Sequence, residues 1–278
     1  MKKIVLFIAG IALLGGSTTA QDTLYIHQQG GTITKLAVNK IDSMVFNEAT
    51  ITTPPLGTVT VTYGSMTDGE SNSYKTVSIG TQTWMAENLN VTKYNDGTVI
   101  PNVTDATTWS NLTTGAVCTY NNTTNADSIR TYGRLYNWYA VNTGKLCPTG
   151  WHVPSDAEWS TLDAYLNANG YDYDASTTDD AIAKSMASTT GWASYSQTGT
   201  IGNNPSTNNK SGFTALPGGY RSSNGTFYNI GHLGVWWSST ENDTSSANLR
   251  SLGYSYGNLD DGYGNNKVDG FSVRCLRD

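Results

Sequence analysis

The sequence predicts an α+β fold, and three observations predict it. Short stretches of helical periodicity lie in the first half of the chain. Alternating, β-prone runs dominate the second half, and glycine, asparagine and aspartate mark tight turns throughout.

The elements follow in chain order. Lys2 and Lys3 precede an apolar run from Ile4 to Leu14 and small residues ending Thr18-Thr19-Ala20. This reads as a secretory signal over residues 1–20, cleaved before Gln21. Its apolar run is too short to cross a bilayer core, which needs roughly 20 residues, so the mature chain is expected to carry no transmembrane segment. Residues 21–50 are expected to form a small N-terminal β unit. Its strands are Leu24–His27, Ile33–Val38 and Ile41–Phe46, with Gly30-Gly31 between the first two. Thr52-Thr53-Pro54-Pro55-Leu56-Gly57 reads as linker (residues 51–57), and the main domain as residues 58–278.

Within that domain, Tyr74–Ile79 alternates as a half-buried strand and turns at Gly80 into Thr83-Trp84-Met85. Asn95-Asp96-Gly97 signals a hairpin. Arg134–Val141 reads as a helix with Leu135, Trp138 and Tyr139 on one face. A further helix begins near Asp179 and carries Ile182 and Met186. Between them, Pro154-Ser155-Asp156-Ala157-Glu158-Trp159 gives the clearest signal in the chain. Ser155 and Glu158 make a capping box ahead of Trp159, Leu162 and Leu166, and Gly170 suits the C-terminal end, so a helix is expected from Asp156 to Asn169. After the loop at Asn203-Asn204-Pro205, strands are expected at Phe213–Tyr220, Thr226–Tyr228, Val235–Ser238, Leu249–Tyr256 and Gly270–Cys275.

Composition narrows the function. Only 14% of residues are charged, against 17 Tyr and 8 Trp. Without the two leader lysines, 14 basic residues face 22 acidic ones, a net charge of −8. That balance lacks a basic nucleic-acid footprint. Three cysteines in an exported chain suggest one disulfide and one thiol. Cys147 and Cys275 are the expected pair, 128 residues apart, with Cys118 a competitor for either partner.

Several motifs resemble one family. Trp84-Met85-Ala86-Glu87-Asn88-Leu89, Tyr132-Gly133-Arg134-Leu135-Tyr136-Asn137-Trp138, Gly150 to Trp159, Ala215 to Arg221, Trp236 to Glu241 and Gly270 to Cys275 occur in the order found in the Fibrobacter succinogenes major paralogous domain. Residues 21–50 also resemble the β-rich leader of many secreted proteins that carry such domains. The resemblance implies a secreted or cell-surface protein and transfers no catalytic residue. More distantly, Pro154 to Trp159 and Gly270-Phe271-Ser272-Val273 resemble formylglycine-generating, sulfatase-modifying enzymes. That likeness implies a C-type lectin-like, sulfatase-modifying-factor-like fold with a mostly antiparallel second half.

Scaffold does not carry function with it. The oxidase chemistry of that second family needs a close cysteine pair for copper near the C-terminal end, and Cys275 has no neighbouring cysteine. No enzyme activity and no catalytic residue are therefore expected. His152 reads as a histidine that fixes its turn through a backbone carbonyl, and Glu158 as a cap. No cofactor is expected. Calcium is the one ion raised by the acidic groups, at Asp172, Asp174, Asp179 and Asp180, and at Asp260, Asp261, Asn265 and Asp269. Neither group matches an EF-hand loop, the Glu-Pro-Asn and Trp-Asn-Asp signatures of calcium lectins are missing, and solvated carboxylates account for both. Tyr228, Tyr254, Tyr256 and Tyr263 lie in Gly/Asn/Ser-rich stretches and are the candidate ligand-binding residues, by the chemistry of antibody loops. The expectation is a binding module for an extracellular glycan or protein. An oxidase or hydrolase on the same scaffold and an architectural envelope component are the alternatives.

Overall fold

The computed structural model describes residues 61–177 and 180–278, together with the strands β1 (Thr23–His27) and β2 (Ile33–Ala37). The chain divides into two compact units, Met1–Thr58 and Val59–Asp278. In the first, β1 and β2 pair antiparallel, from Thr23 opposite Ala37 to His27 opposite Ile33. The expected leader, the strand Ile41–Phe46, the linker and Asp179 lie outside the described residues.

The second unit begins with β3 (Tyr63–Thr67), β4 (Ser73–Ile79) and β5 (Gln82–Met85), then α1 (Ala106–Ser110), β6 (Val117–Cys118), α2 (Ala126–Tyr132), β7 (Leu135–Tyr136) and α3 (Trp138–Val141). It continues through β8 (Trp151–His152), α4 (Asp156–Ala168) and α5 (Ala183–Met186). The remaining strands are β9 (Gly218–Arg221), β10 (Phe227–Ile230), β11 (Leu233–Glu241), β12 (Ser246–Gly253), β13 (Asp260–Asn266) and β14 (Leu276–Arg277). Helices and largely antiparallel sheets make the fold α+β.

One five-stranded sheet has the order β3-β4-β5-β14-β8, so the last strand is inserted between two early ones. The other has the order β10-β9-β11-β12-β13, and only β9 with β11 runs parallel. Successive strand residues point to opposite faces, and both faces are buried at the centre of each sheet. Trp84 and Met85 enter different core clusters, as do Trp236 and Trp237, and all four are fully buried.

α4 forms for the reasons its sequence gives. Ser155 accepts from the Glu158 N–H, Glu158 accepts from the Ser155 N–H at 2.7 Å, and Trp159, Leu162 and Leu166 form the buried face. Burial of each such side chain contributes roughly 1.5–3 kcal/mol. Trp159 meets Trp84 with ring centroids 4.7 Å apart. Asn169 caps the end and Gly170 takes φ +70°.

The helix expected over Arg134–Val141 forms only in its second half, as α3 (Trp138–Val141), while Leu135 and Tyr136 are strand. Asn137, fully buried, accepts from the Ala140 N–H and begins the helix only at Trp138. Before it, Tyr136 and Phe271 exchange backbone hydrogen bonds, so long-range pairing overrides local helical periodicity. The strand expected over Gly270–Cys275 touches its neighbours through isolated bridges, and regular pairing starts at Leu276. Similarly, the strand expected over Phe213–Tyr220 is regular only from Gly218.

Candidate functional site

Cys147, entering the turn before β8, is bonded to Cys275, one residue before β14, with Cα atoms 6.0 Å apart. This bond fixes the floor on which the Gly150-to-Trp159 run sits. Cys118 is the buried free thiol, and desolvation pushes its pKa up to about 12.

On that floor, His152 does not bond a backbone carbonyl as expected. Its Nε2 lies 2.9 Å from Glu158 Oε1 and its Nδ1 2.7 Å from Asp278 Oδ1. β14 pairs with β8 and carries Asp278 past the imidazole, a juxtaposition invisible to local sequence reading. Desolvation works against the charged ring, yet the bonds to Asp278 and Glu158 outweigh it and raise the His152 pKa. Glu158 is also partly desolvated, but its bonds from Ser155 and His152 hold its carboxyl below the ordinary value. The Ser155 hydroxyl donates to Glu158 Oε2 at 2.8 Å rather than to the histidine. With both ring nitrogens on carboxylates, the cluster reads as a charge-assisted clasp between α4 and the end of the chain.

The four candidate tyrosines do not gather at one place. Tyr228 lies on edge strand β10, and Tyr263 on β13 at the opposite edge of the same sheet. The stretch containing Tyr263 was expected as loop. Residues Asp260–Asn266 instead pair with β12 around a bulge, because the paired backbone satisfies groups that its glycines and asparagines leave unshielded. Tyr263 remains 61% exposed and donates to Asp261.

Tyr254 and Tyr256 sit together just beyond β12. Tyr254 meets His232 edge-on at 4.9 Å and Tyr195 edge-on at 5.5 Å, and Tyr256 is 61% exposed. Backbone bonds from Ile201 to Tyr256, Gly202 to Tyr254 and Tyr195 to Gly202 lace this aromatic cluster to the 195–202 loop. Tyr195 and His232 were missed by sequence reading. The Ser/Gly/Tyr composition around Tyr195 carried the same signal as the later loop, whereas His232 is placed by the pairing of Leu233 with Gly253.

Around the corner of β10 is a cavity of about 260 Å³, lined by Tyr120, Ile129, Tyr132 and Ile230 with Asn121 and Ser128 among its polar residues. A second, of about 370 Å³, lies between Asp68, Glu70, Lys93, Tyr94 and Pro148. The Asp68 carboxylate beside it already accepts from Glu70, Asn72 and Tyr74.

Among the described residues, no three His, Cys, Asp or Glu side chains converge as metal ligands. The acidic residues raised for calcium serve turns and neighbours. Asp172 accepts from Ala181 and Ser176, Asp174 from Ser176, Asp180 from Asn167, Asp260 from Ser251, and Asp261 from Tyr263. Asp269 accepts from the Ser223 N–H, and burial pushes it up to about 6.

Among the described residues, two arginines are fully buried without a carboxylate partner. Arg221 lies over Trp109 and Phe227 and donates to the Gly225, Val103 and Thr104 carbonyls. Arg274 lies over Phe213 and Trp236 and donates to Asn88 Oδ1 and the Phe213 and Thr214 carbonyls. Both are fork-shaped braces for loop backbone.

No curated protein and no solved structure matches the chain. The model of the Fibrobacter succinogenes major domain matches residues 77–277, a span that holds the disulfide, the capping box and both buried arginines. The chain belongs to the Fibrobacter succinogenes major domain family.

Proposed function

We propose that the protein is exported and acts, secreted or at the cell surface, as a non-catalytic binding module with a C-type lectin-like fold. The observation that carries the binding reading is the aromatic cluster of Tyr195, His232, Tyr254 and Tyr256. Three rigid phenols and an imidazole on hydrogen-bonded loops offer apolar faces with polar edges at low entropic cost. Their ligand is an extracellular glycan or protein. Tyr228 and Tyr263, on opposite edges of the sheet, would belong to other contacts. The fold assignment rests on the Pro154-to-Trp159 and Gly270-to-Val273 resemblance. Export rests on the leader, and N-terminal sequencing of the mature protein beginning at Gln21 is the expected result.

The mature chain on a glycan and surface-protein array tests the binding reading. Capture is expected, and Tyr256→Ala should abolish it without moving the melting temperature. Uniform silence would favour the architectural role instead. Turnover of a substrate requiring His152 would restore the enzyme reading.

A further inference from the structure

The cavity beside β10 is walled by side chains whose positions the fold fixes while leaving their polar tips free. Tyr120 is clamped: its ring packs on Phe227 with centroids 5.4 Å apart, and a β-carbon at Gly219 would stand 2.7 Å from its Cε2. Gly219, at φ +65°, therefore gives Tyr120 its seat. Tyr132 is held differently. Its carbonyl accepts from Asn88 Nδ2 at 2.8 Å, and its ring lies over Gly218. Ile129, from the same helix α2, and the 37% exposed Ile230 complete the apolar surface.

Of the polar groups there, the Thr119 hydroxyl donates to the Thr123 carbonyl and the Thr123 hydroxyl accepts from the Asn125 N–H. Among the described residues, the Tyr120 and Tyr132 hydroxyls, the Asn121 amide and the Ser128 hydroxyl make no hydrogen bond within the protein. Their residues are bonded through backbone instead: the Ser128 N–H donates to Asn125 Oδ1, and the Tyr120 and Tyr132 carbonyls accept from the Thr123 N–H and Asn88 Nδ2. Asn121 also holds φ +50°, an uncommon conformation for a residue with a β-carbon, and one that functional sites often retain.

Size and charge narrow the ligand. A volume of about 260 Å³ is below the roughly 300–1,000 Å³ of drug-sized sites, so the cavity accommodates one ring rather than a chain. No carboxylate, lysine, arginine or histidine lines it, so nothing neutralises a charged ligand. A purely apolar ring would cover the two tyrosines but strand the hydroxyl and amide groups, at about 1–3 kcal/mol for each one buried unpaired. A ring with an apolar face and a hydroxylated rim satisfies both demands.

We propose that this cavity binds a single uncharged pyranose unit, stacked on the tyrosines with its hydroxyls on Asn121, Ser128 and the phenol oxygens. The site uses none of the rings of Tyr195, His232, Tyr254 or Tyr256, although the Ile230 carbonyl at its wall lies 3.2 Å from His232 Nδ1.

Saturation-transfer NMR on the mature chain tests it, with the methyl glycosides of glucose, galactose, mannose, xylose and N-acetylglucosamine. Glucuronic acid and N-acetyltyrosinamide serve as charged and aromatic comparators. At least one neutral glycoside should saturate and glucuronic acid should not. Ser128→Trp fills the cavity from the surface of α2 and should abolish the signal. Tyr132→Phe, which keeps the ring, should weaken affinity about threefold to tenfold. Melting temperatures verify that both variants fold, and the Tyr132→Phe result stands alone if Ser128→Trp does not. Silence from all five glycosides overturns the proposal. So does unchanged binding by the variants, or binding of N-acetyltyrosinamide alone, which would make the cavity a socket for a protein side chain. Loss of the sugar signal in Tyr256→Ala would move the sugar to the aromatic surface and overturn the assignment equally.

Discussion

His152 Nε2 and Glu158 Oε1 stand 2.9 Å apart, so the second carboxylate oxygen of a helix cap grips the strand that precedes the helix. Asp278 holds the other ring nitrogen. Because these bonds raise the His152 pKa against desolvation, the clasp stabilises the fold fully below the ordinary 6.5 and loses that contribution as pH rises through the folded value. Glu158, held low, behaves oppositely: its contribution is present above 4.5 and is lost as pH falls through the folded value. The His152 and Asp278 side chains are 39% and 60% exposed, which limits the clasp to about 1 kcal/mol or less. The clasp's contribution to the melting temperature should therefore fall as pH rises above 6.5, and His152→Gln should flatten that fall. Parallel curves for the two proteins would remove the clasp from the account.

On the same helix, Asp163 is pushed up to about 6 by desolvation and by the nearby Asp180. A carboxylate with a raised folded value favours the fold only while protonated, so this contribution is lost as pH rises from the ordinary 3.8 towards about 6. Asp163→Asn keeps an acceptor for Asn167 Nδ2 and removes the charge. The substitution should add about 1 kcal/mol at neutral pH, after allowance for partial exposure, and nothing near pH 3. Denaturant titrations at the two pH values measure the difference.

Cys147 and Cys275 close a loop across 128 positions, and replacing both with serine should cost up to about 5 kcal/mol. Cys118, fully buried and with its thiol pushed up to about 12, should ignore iodoacetamide in the native protein. It should react once the chain is unfolded without reductant. Mass spectrometry before and after unfolding reads both states, and native alkylation would contradict the packing around Cys118.

What could be read from the sequence was whatever is decided locally. The capping box at Ser155 and Glu158, the turn at Gly80 and the hairpin at Asp96-Gly97 each depend on residues within a few positions, and the structure has all three. The disulfide was legible because the only competitor was Cys118. Long-range pairing defeated the rest. Arg134–Val141 has helical spacing and is helical from Trp138, yet Val117, Cys118 and Phe271 claim Leu135 and Tyr136 as strand. Asp260–Asn266 has a loop's composition, yet β12 offers it an edge. The carboxylate that fixes His152 and the tyrosines that wall the cavity come from elements brought together only by the sheets.

The buried arginines make the last prediction. Arg274 is fully enclosed, and desolvation pulls its pKa down to about 9, still cationic at neutral pH. Its planar fork serves Asn88 Oδ1 and two carbonyls while its face meets Phe213 and Trp236. Lysine supplies the same charge but neither the fork nor the flat face, so Arg274→Lys should leave at least one acceptor unpaired. The expected loss is about 2–4 kcal/mol, read as a shift in denaturation midpoint at constant slope. Arg221→Lys should cost a similar amount, since Val103, Thr104 and Gly225 depend on it in the same way. The two sites do not share a hydrogen-bond partner, so the double variant should lose the sum of the two to within about 0.5 kcal/mol. A tolerated Arg274→Lys would mean that the charge alone suffices there, and that the fork geometry has no energetic role.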